Sequence, residues 1–336
     1  MVAGATFAVC MITLELVFRV AFGPVVEKNV TPMPNAILSR PEFPGLRHVF
    51  RPGVSFTDEF ESDPRGYLDP GATLTYHVNS LGFRGPETTV EKPAGRFRIA
   101  ALGDSVLFGS GVRDEDTLTR VLEQELTRAG YPCEVLNFGV PAYDTCEESV
   151  FLRRIALDYR PDLVFFLFFL NDAGGGSVFG AFNAIGEKSG LRRASVLYDH
   201  LAARAARGAA ITQLVEDYHS SFGDNVRGWL LAQEALKKAK AAADRRNVPV
   251  VLVIFPLLYR LDASYPFASI HEKVARRGRE LGYRVLDLLP AFQGRVAESL
   301  WAHPRDQHPN EIGHALAARA IMRFLIDERL MPSPAH

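Results

Sequence analysis

Ser105 is the residue whose type and position most strongly suggest chemistry. It ends the tripeptide Gly103-Asp104-Ser105, which follows the apolar run 97–102 and opens a glycine-containing loop. In an open α/β sheet, ligands collect outside the carboxyl ends of the strands, so a serine placed there is a candidate nucleophile. Ester cleavage by serine also needs a base for the hydroxyl proton and hydrogen-bond donors for the oxyanion. The tripeptide arises by chance in roughly one chain of this length in ten, so the prediction depends on other residues.

Three further segments share this layout, an apolar run that ends in small or polar residues. Gly139 ends one such run, Asn171 follows another, and His308 lies beyond the last predicted strand. If the strands have the common order 2-1-3-4-5, then Ser105, Gly139 and Asn171 come from the carboxyl ends of three adjacent strands. The sequence therefore predicts that these three residues share one small crevice.

Together the four segments resemble the SGNH, or GDSL-type, hydrolase family, which is named for one Ser, one Gly, one Asn and one His. The matching residues are Ser105, Gly139, Asn171 and His308. The resemblance covers residues 97 to about 326 and implies an acyl-serine intermediate that water resolves, with His308 as the base and Asp306 as its partner. It also implies an oxyanion hole made of the Ser105 and Gly139 backbone amides and the Asn171 side-chain amide. No metal and no organic cofactor is expected.

Two positions depart from the family pattern. Asp306 lies two residues before His308, whereas the family usually has an aspartate three residues before, where this chain has Arg305. Residues i and i+2 of an extended strand face the same side, so the carboxylate is still expected to reach the imidazole. A two-residue spacing also occurs in SGNH-like polysaccharide O-acetyltransferases. Phe169 replaces a family glycine, which alters the local pocket shape but leaves the Asn171 amide available.

The predicted function is a serine esterase that removes a small acyl group, and the resemblance favours acetyl on a glycan as the substrate. The first alternative is a polysaccharide O-acetyltransferase, which would use the same residues to pass the acyl group to a sugar hydroxyl. A second alternative is a non-catalytic glycan-binding protein on the same fold, against which the intact Ser105, Asn171 and His308 argue. The sequence determines neither the acyl and alcohol specificity nor the oligomeric state.

Strands and helices that alternate along the chain must position these residues. Apolar strands are predicted near residues 97–102, 133–138, 162–170, 249–255 and 283–287. This alternation indicates an α/β fold with a doubly wound, five-stranded parallel sheet flanked by helices, as in SGNH hydrolases. The first crossover helix is predicted to have Asp114 or Asp116 as its cap and to stop at Gly130, and the last helix is predicted from Asn310 to about Ile326.

The predicted domain organisation has three parts. Residues 1–26 form a hydrophobic anchor or signal-like segment, and residues 27–96 form a proline-rich extension that contains one short strand. Residues 97–330 form the hydrolase domain, whose helical insertion 173–247 is a candidate lid. Arg84 in the extension could reach the active-site face, although packing is the preferred interpretation.

The N-terminal segment is apolar but is interrupted by Glu15 and Arg19. It is too short and too charged for a confident spanning helix, and its apolar core has the length of a signal-peptide core. The alternatives are an anchor in which Glu15 and Arg19 pair on one face, or an amphipathic helix packed on the domain. The predicted location is membrane-anchored or extracytoplasmic. Basic residues after the segment favour the cytoplasm instead by the positive-inside rule.

Composition and motifs exclude other classes of protein. A net charge of −1 argues against nucleic-acid binding, and the basic cluster within residues 237–246 is interpreted as a solvated helix face. Three cysteines without CxxC spacing, and the lack of an HExxH motif, argue against a disulfide framework and a zinc site. Cys133 and Cys146 are therefore expected to be free thiols. A disfavoured alternative is a metal site built from His303, Asp306, His308 and His314.

Overall fold

The computed structural model describes residues 2–21, 36–39, 43–174, 178–184, 190 and 194–334. The chain divides into two compact units, which are residues 1–31 with 176–217 and residues 32–175 with 218–336. These units differ from the predicted segments. From residue 32 onward the extension belongs to the same unit as the strands of the hydrolase domain, and the insertion 173–247 is shared between the two units.

A parallel five-stranded sheet organises the larger unit. The strands of the chain are β1 (Ile37–Leu38), β2 (Val49–Phe50), β3 (Ser55–Glu59), β4 (Thr73–His77), β5 (Phe97–Gly103), β6 (Cys133–Gly139), β7 (Leu163–Phe168), β8 (Val250–Ile254), β9 (Arg284–Asp287), β10 (Trp301–His303) and β11 (Asp306–Pro309). The five-stranded sheet has the order β6-β5-β7-β8-β9 and is parallel throughout. The predicted order 2-1-3-4-5 is therefore confirmed. Every residue of β7 and of β8 is buried, as expected for central parallel strands.

Helices alternate with these strands. They are α1 (Val2–Ala21), α2 (Ser105–Phe108), α3 (Leu118–Arg128), α4 (Thr145–Arg154), α5 (Val178–Phe182), α6 (Val196–Ser221), α7 (Arg227–Asp244), α8 (Ala268–Glu280), α9 (Leu289–Phe292) and α10 (Glu311–Asp327). Short 3-10 helices cover Asp114–Asp116, Ala156–Tyr159, Leu170–Ala173 and Ala297–Leu300. Within its described residues, the insertion 173–247 contains helices and no strand, as predicted.

Local sequence patterns predicted the N-terminal cap of one helix correctly and that of another wrongly. Asn310 caps α10, as expected, because its side chain accepts hydrogen bonds from the first-turn amides. The predicted cap of α3 was wrong. Thr117 caps this helix, whereas the carboxylates of Asp114 and Asp116 bind side chains of the extension.

The extension contains an antiparallel strand pair, formed by β3 and β4. Leu74, Tyr76 and Val78 are all buried, so the predicted short strand is confirmed. The side chains of β4 that alternate with these residues are less buried, because one face of the pair lies against the core.

In the smaller unit, Glu15 of α1 caps helix α6. Its carboxylate accepts hydrogen bonds from the Ser195 hydroxyl and from the Val196 and Leu197 amides, and Arg19 lies 2.7 Å from it. The hydrogen bond from Ser195 is the main cause that lowers the pKa of Glu15 to about 2. The Glu15–Arg19 pair, which the anchor alternative included, is present. Among the described helices, none combines the length and the hydropathy that crossing a membrane requires.

Candidate active site

Ser105 is the first residue of α2 and lies just beyond the carboxyl end of β5. Asp104 caps this helix, because its Oδ1 atom accepts a hydrogen bond from the Val106 amide at 2.9 Å. The helix has only four residues and ends at Gly109, whose φ of +87° lies in the left-handed region. The sharp passage from strand to helix therefore presents Ser105 at the edge of the sheet, as expected.

Asn171 joins the loop after β7 to the loop after β5. Its Nδ2 atom donates a hydrogen bond to Oδ2 of Asp104 at 3.0 Å. Asn171 is exposed, whereas Asp104 is buried. Burial raises the pKa of Asp104, although hydrogen bonds from Val106 and Asn171 oppose that rise. Asn171 thus lies beside the residue that precedes Ser105, and one hydrogen of its amide is engaged.

Asp306 and His308 face each other along the short strand β11. Oδ1 of Asp306 lies 2.6 Å from Nδ1 of the imidazole and also accepts the His308 backbone amide at 3.1 Å. The two-residue spacing therefore brings the carboxylate to the ring, as the alternation of a strand requires. Burial works against a charged imidazole, but the interaction with Asp306, together with the charges of Asp104 and Asp58, raises the pKa of His308 above its ordinary value of 6.5.

Three observations connect strand β11, which carries His308, with helix α2, which begins at Ser105. Helix α2 contacts β11. A Cβ atom added to Gly111, in the loop after α2, would lie 3.8 Å from Oδ2 of Asp306. The charge of Asp104 also contributes to the raised pKa of His308, so the imidazole lies within electrostatic range of the residue next to Ser105. The structure therefore gathers Ser105, Asn171, Asp306 and His308 at one edge of the sheet.

Gly139 packs directly against the serine helix. A Cβ atom at this position would lie 2.3 Å from the Phe108 nitrogen, so only glycine fits. Its backbone amide donates to Oδ1 of Asn137 at 2.9 Å, and the Asn137 amide in turn donates to the carbonyl of Leu107. To serve as an oxyanion donor, the Gly139 amide would have to share this hydrogen with Asn137. Its role in an oxyanion hole therefore stays a prediction.

Two buried carboxyl groups behind Asn171 were not recognised in the sequence. Glu148 of α4 is 2% exposed and Asp172 is 4% exposed. Among the residues that the structure describes, neither oxygen of Glu148 nor Oδ1 of Asp172 has a hydrogen-bond partner. Burial raises both pKa values well above the ordinary range, and repulsion adds to the rise: Asp172 and Asp104 act on Glu148, and Asp104 acts on Asp172. An acidic residue in a helix is usually exposed, so the sequence carried no signal for this burial.

The alternative metal site and the thiols have structural explanations. His314 is buried and accepts a hydrogen bond from the Leu118 amide, and burial lowers its pKa to about 3. Over the parts of the chain that the structure describes, no cluster of His, Cys, Asp and Glu could hold a metal ion. Cys133 and Cys146 are free, as expected. Burial raises their thiol pKa values to about 12 and about 11, which disfavours the reactive thiolate.

Comparison with known protein families places this chain in one of them. Residues 101–316 match the GDSL-like lipase/acylhydrolase family. No curated protein is significantly similar to the chain. Among solved structures, the chain is similar to TesA, with 14% identity over 70% of this chain and 99% of that chain and a TM-score of 0.45.

Two further similarities cover 72% of this chain each. One is to LAE5, an α/β hydrolase from the metagenome of Lake Arreo, Spain, with 15% identity, 99% of that chain and a TM-score of 0.46. The other is to a two-domain esterase (CEX) active on acetylated mannans, with 16% identity, 54% of that chain and a TM-score of 0.42. The family match spans more than half of the sequence, so the chain belongs to the GDSL-like lipase/acylhydrolase family of ester-cleaving SGNH hydrolases.

Proposed function

We propose that the protein is a serine esterase that works through an acyl-Ser105 intermediate. The observation that carries this proposal is the Asp306–His308 pair, with 2.6 Å between Oδ1 and Nδ1, on a strand that contacts the helix headed by Ser105. The hydrogen on Nδ1 donates to Asp306, which leaves Nε2 as the basic nitrogen. Asp306 thus fixes the tautomer that a general base requires.

The proposed reaction has two acyl transfers. Ser105 Oγ attacks the ester carbonyl while His308 accepts the hydroxyl proton, and the same proton then passes to the leaving alcohol as the C–O bond breaks. Water attacks the acyl-enzyme in the second half, again with His308 as base, and releases the acid and the free serine. In each half, donors at the sheet edge stabilise the oxyanion.

Asn171 is the proposed side-chain donor to that oxyanion, because one hydrogen of its Nδ2 remains after the bond to Asp104. Asn171→Ala is expected to lower kcat by roughly 10²- to 10³-fold, with KM nearly unchanged, since the donor acts mainly in the transition state. Steady-state kinetics on a p-nitrophenyl ester measure this. Asn247→Ala, at the amino end of β8 and hence the opposite edge, is the control. A kcat for Asn171→Ala within about threefold of wild type would contradict the role.

The pH dependence follows from the raised pKa of His308. A base must be neutral to accept a proton, so activity is expected to rise with pH as the imidazole loses its charge. Because Asp306 holds this pKa above 6.5, the acidic limb of kcat/KM should have its midpoint above pH 6.5. Asp306→Asn should move the midpoint of its residual activity downward. A wild-type midpoint clearly below 6.5 would argue against His308 as the base.

For the substrate, we propose a small acyl ester, with O-acetyl groups on a glycan as the preferred class. The two-residue spacing between Asp306 and His308 supports acetyl chemistry, because SGNH-like polysaccharide O-acetyltransferases have the same spacing. Hydrolysis of p-nitrophenyl acetate, butyrate and octanoate by the full chain tests the proposal. Fluorophosphonate labelling, mapped by mass spectrometry, should modify Ser105.

The same assay separates hydrolysis from transfer. If a sugar acceptor accelerates p-nitrophenol release and becomes acetylated, the protein is a transferase; if acetate is the product at every acceptor concentration, it is a hydrolase. A folded chain that neither turns over esters nor reacts with the probe would point to the non-catalytic alternative.

Membrane attachment through the N-terminal segment is also a proposal. Helix α1 exposes large apolar side chains, among them Ile12, Leu16, Val17 and Val20. Their exposure to water is unfavourable and supports contact with a lipid surface. Co-flotation of the full chain with phospholipid vesicles tests this, and Ile12→Asp with Val20→Asp should abolish flotation.

A further inference from the structure

A buried arginine from the extension holds the end of the serine helix. Arg84 is 2% exposed and lies outside the residues that match the family. Its Nη1 atom donates to the carbonyls of Phe108, at 2.8 Å, and of Gly109. Its Nη2 atom donates to the carbonyl of Val112, and its Nε atom donates to Oδ1 of Asp114 at 2.8 Å. All three guanidinium nitrogens therefore donate hydrogen bonds to residues that follow Ser105 in the chain.

These contacts matter because α2 is a single turn. The last carbonyls of a helix have no partner within the helix, and four residues are too few for a helix to persist by itself. Arg84 supplies donors and a positive charge at the carboxyl end, where the helix dipole favours a cation. Ser105 and Phe108 are separated by only about 4.5 Å along the helix axis, so a shift at one end moves the other.

Aromatic rings hold the guanidinium in place. Its central carbon lies 4.7 Å from the centre of the Tyr76 ring and 4.8 Å from that of Phe108. The Tyr76 hydroxyl also accepts a hydrogen bond from the Gly111 amide at 3.0 Å. A planar, stacked group that binds several carbonyls at once is specific to arginine, because lysine offers one ammonium and no plane.

We infer that Arg84 is a positioning residue for the nucleophile: by fixing the carboxyl end of α2, it sets the orientation of Ser105 for attack. The inference rests on the proposed serine mechanism for its kinetic consequence, but its structural part, the ordering of residues 105–112, does not. The proline-rich extension is then a working part of the active site rather than a connecting segment.

Arg98 provides a matched control. It is also fully buried, and it binds one carboxylate, that of Glu134, and four backbone carbonyls. It lies at the beginning of β5, whereas Ser105 follows the end of that seven-residue strand, about 20 Å away. A substitution at Arg98 therefore removes a similar set of hydrogen bonds without touching α2.

The test compares R84K with R98K in the full chain. Two readouts are used well below the melting temperature: the second-order rate of Ser105 phosphonylation by a fluorophosphonate, and hydrogen exchange of the peptide that covers residues 104–113. R84K is expected to slow phosphonylation and kcat by about 10- to 100-fold, with KM within about threefold, and to lose protection in that peptide. R98K should leave both readouts within about threefold of wild type, even with an equal loss of melting temperature.

If R84K does not fold, D114N serves in its place, because it weakens the hold on Nε and keeps the arginine. It should shift both readouts in the same direction by a smaller factor. Equal effects of R84K and R98K, or unchanged protection and reactivity in R84K, would overturn the inference. A wild-type protein that does not react with the probe would instead refute the serine mechanism, and the exchange data would still decide whether Arg84 orders α2.

Discussion

Replacing Ser105 by alanine is expected to lower kcat for p-nitrophenyl acetate by roughly 10⁴- to 10⁶-fold. The variant lacks the only atom that the proposed mechanism can acylate, so what remains is weak catalysis by the oxyanion donors. The fold should be unchanged, because the cap of α2 belongs to Asp104 and not to Ser105. The measurement is steady-state hydrolysis, together with loss of fluorophosphonate labelling.

Ser110 is the matched control for this variant. It lies in the loop that follows α2 and is 7% exposed, so Ser110→Ala perturbs the same region. Its kcat should stay within about tenfold of wild type, because Ser110 has no part in the chemistry. If Ser105→Ala kept more than a few per cent of the activity, the nucleophile would have to lie elsewhere.

Asp306→Asn is expected to lower kcat by about 10⁴-fold at neutral pH. An amide in this position can donate to Nδ1, which stabilises the tautomer with its hydrogen on Nε2 and removes the basic nitrogen from the site. The carboxylate also stabilises the imidazolium that forms during attack, since its interaction raises the pKa of His308. Ground-state binding should change little, so KM is expected to vary within a few fold.

The chain contains a second aspartate–histidine pair that serves as control. Asp287 Oδ1 lies 2.8 Å from Nδ1 of the buried His271, whose Nε2 is bonded to the Tyr265 hydroxyl. Asp287→Asn disturbs this pair in the same way, but the pair has no place in the proposed reaction. Its kcat should remain within about tenfold of wild type. Similar losses in both variants would mean that Asp306 acts through stability alone.

Much of the fold could be predicted because its signals are local. The apolar runs that became β5 to β9 form the parallel sheet, and their order follows from a common doubly wound topology. Adjacent strands then bring the loops of Ser105 and Asn171 together, and the bond between Asp104 and Asn171 shows that contact directly. Alternation along β11 likewise predicted that Asp306 reaches His308.

The remaining features depend on partners distant in sequence. The local sequence predicts that Asp114 is a helix cap, but its carboxylate binds Arg84, thirty residues earlier. Arg84 binds backbone carbonyls at the end of α2. Every residue has a backbone carbonyl, so no residue type in the sequence indicates this contact. The Asn137 side chain, which accepts the Gly139 amide, donates to the carbonyl of Leu107, thirty residues earlier, and only the folded chain reveals this contact.

The buried carboxyl groups of Glu148 and Asp172 give the protein a sensitivity to alkali. A carboxyl whose pKa is raised by folding keeps its proton in the native state, whereas the unfolded chain loses it above about the ordinary value of 4.5 for Glu148. The contribution of Glu148 to the free energy of unfolding is therefore fully present below the unfolded pKa, and it declines as the pH rises toward the folded pKa. Glu148→Gln, which has no proton to lose, should narrow the gap in melting temperature between pH 5 and pH 8.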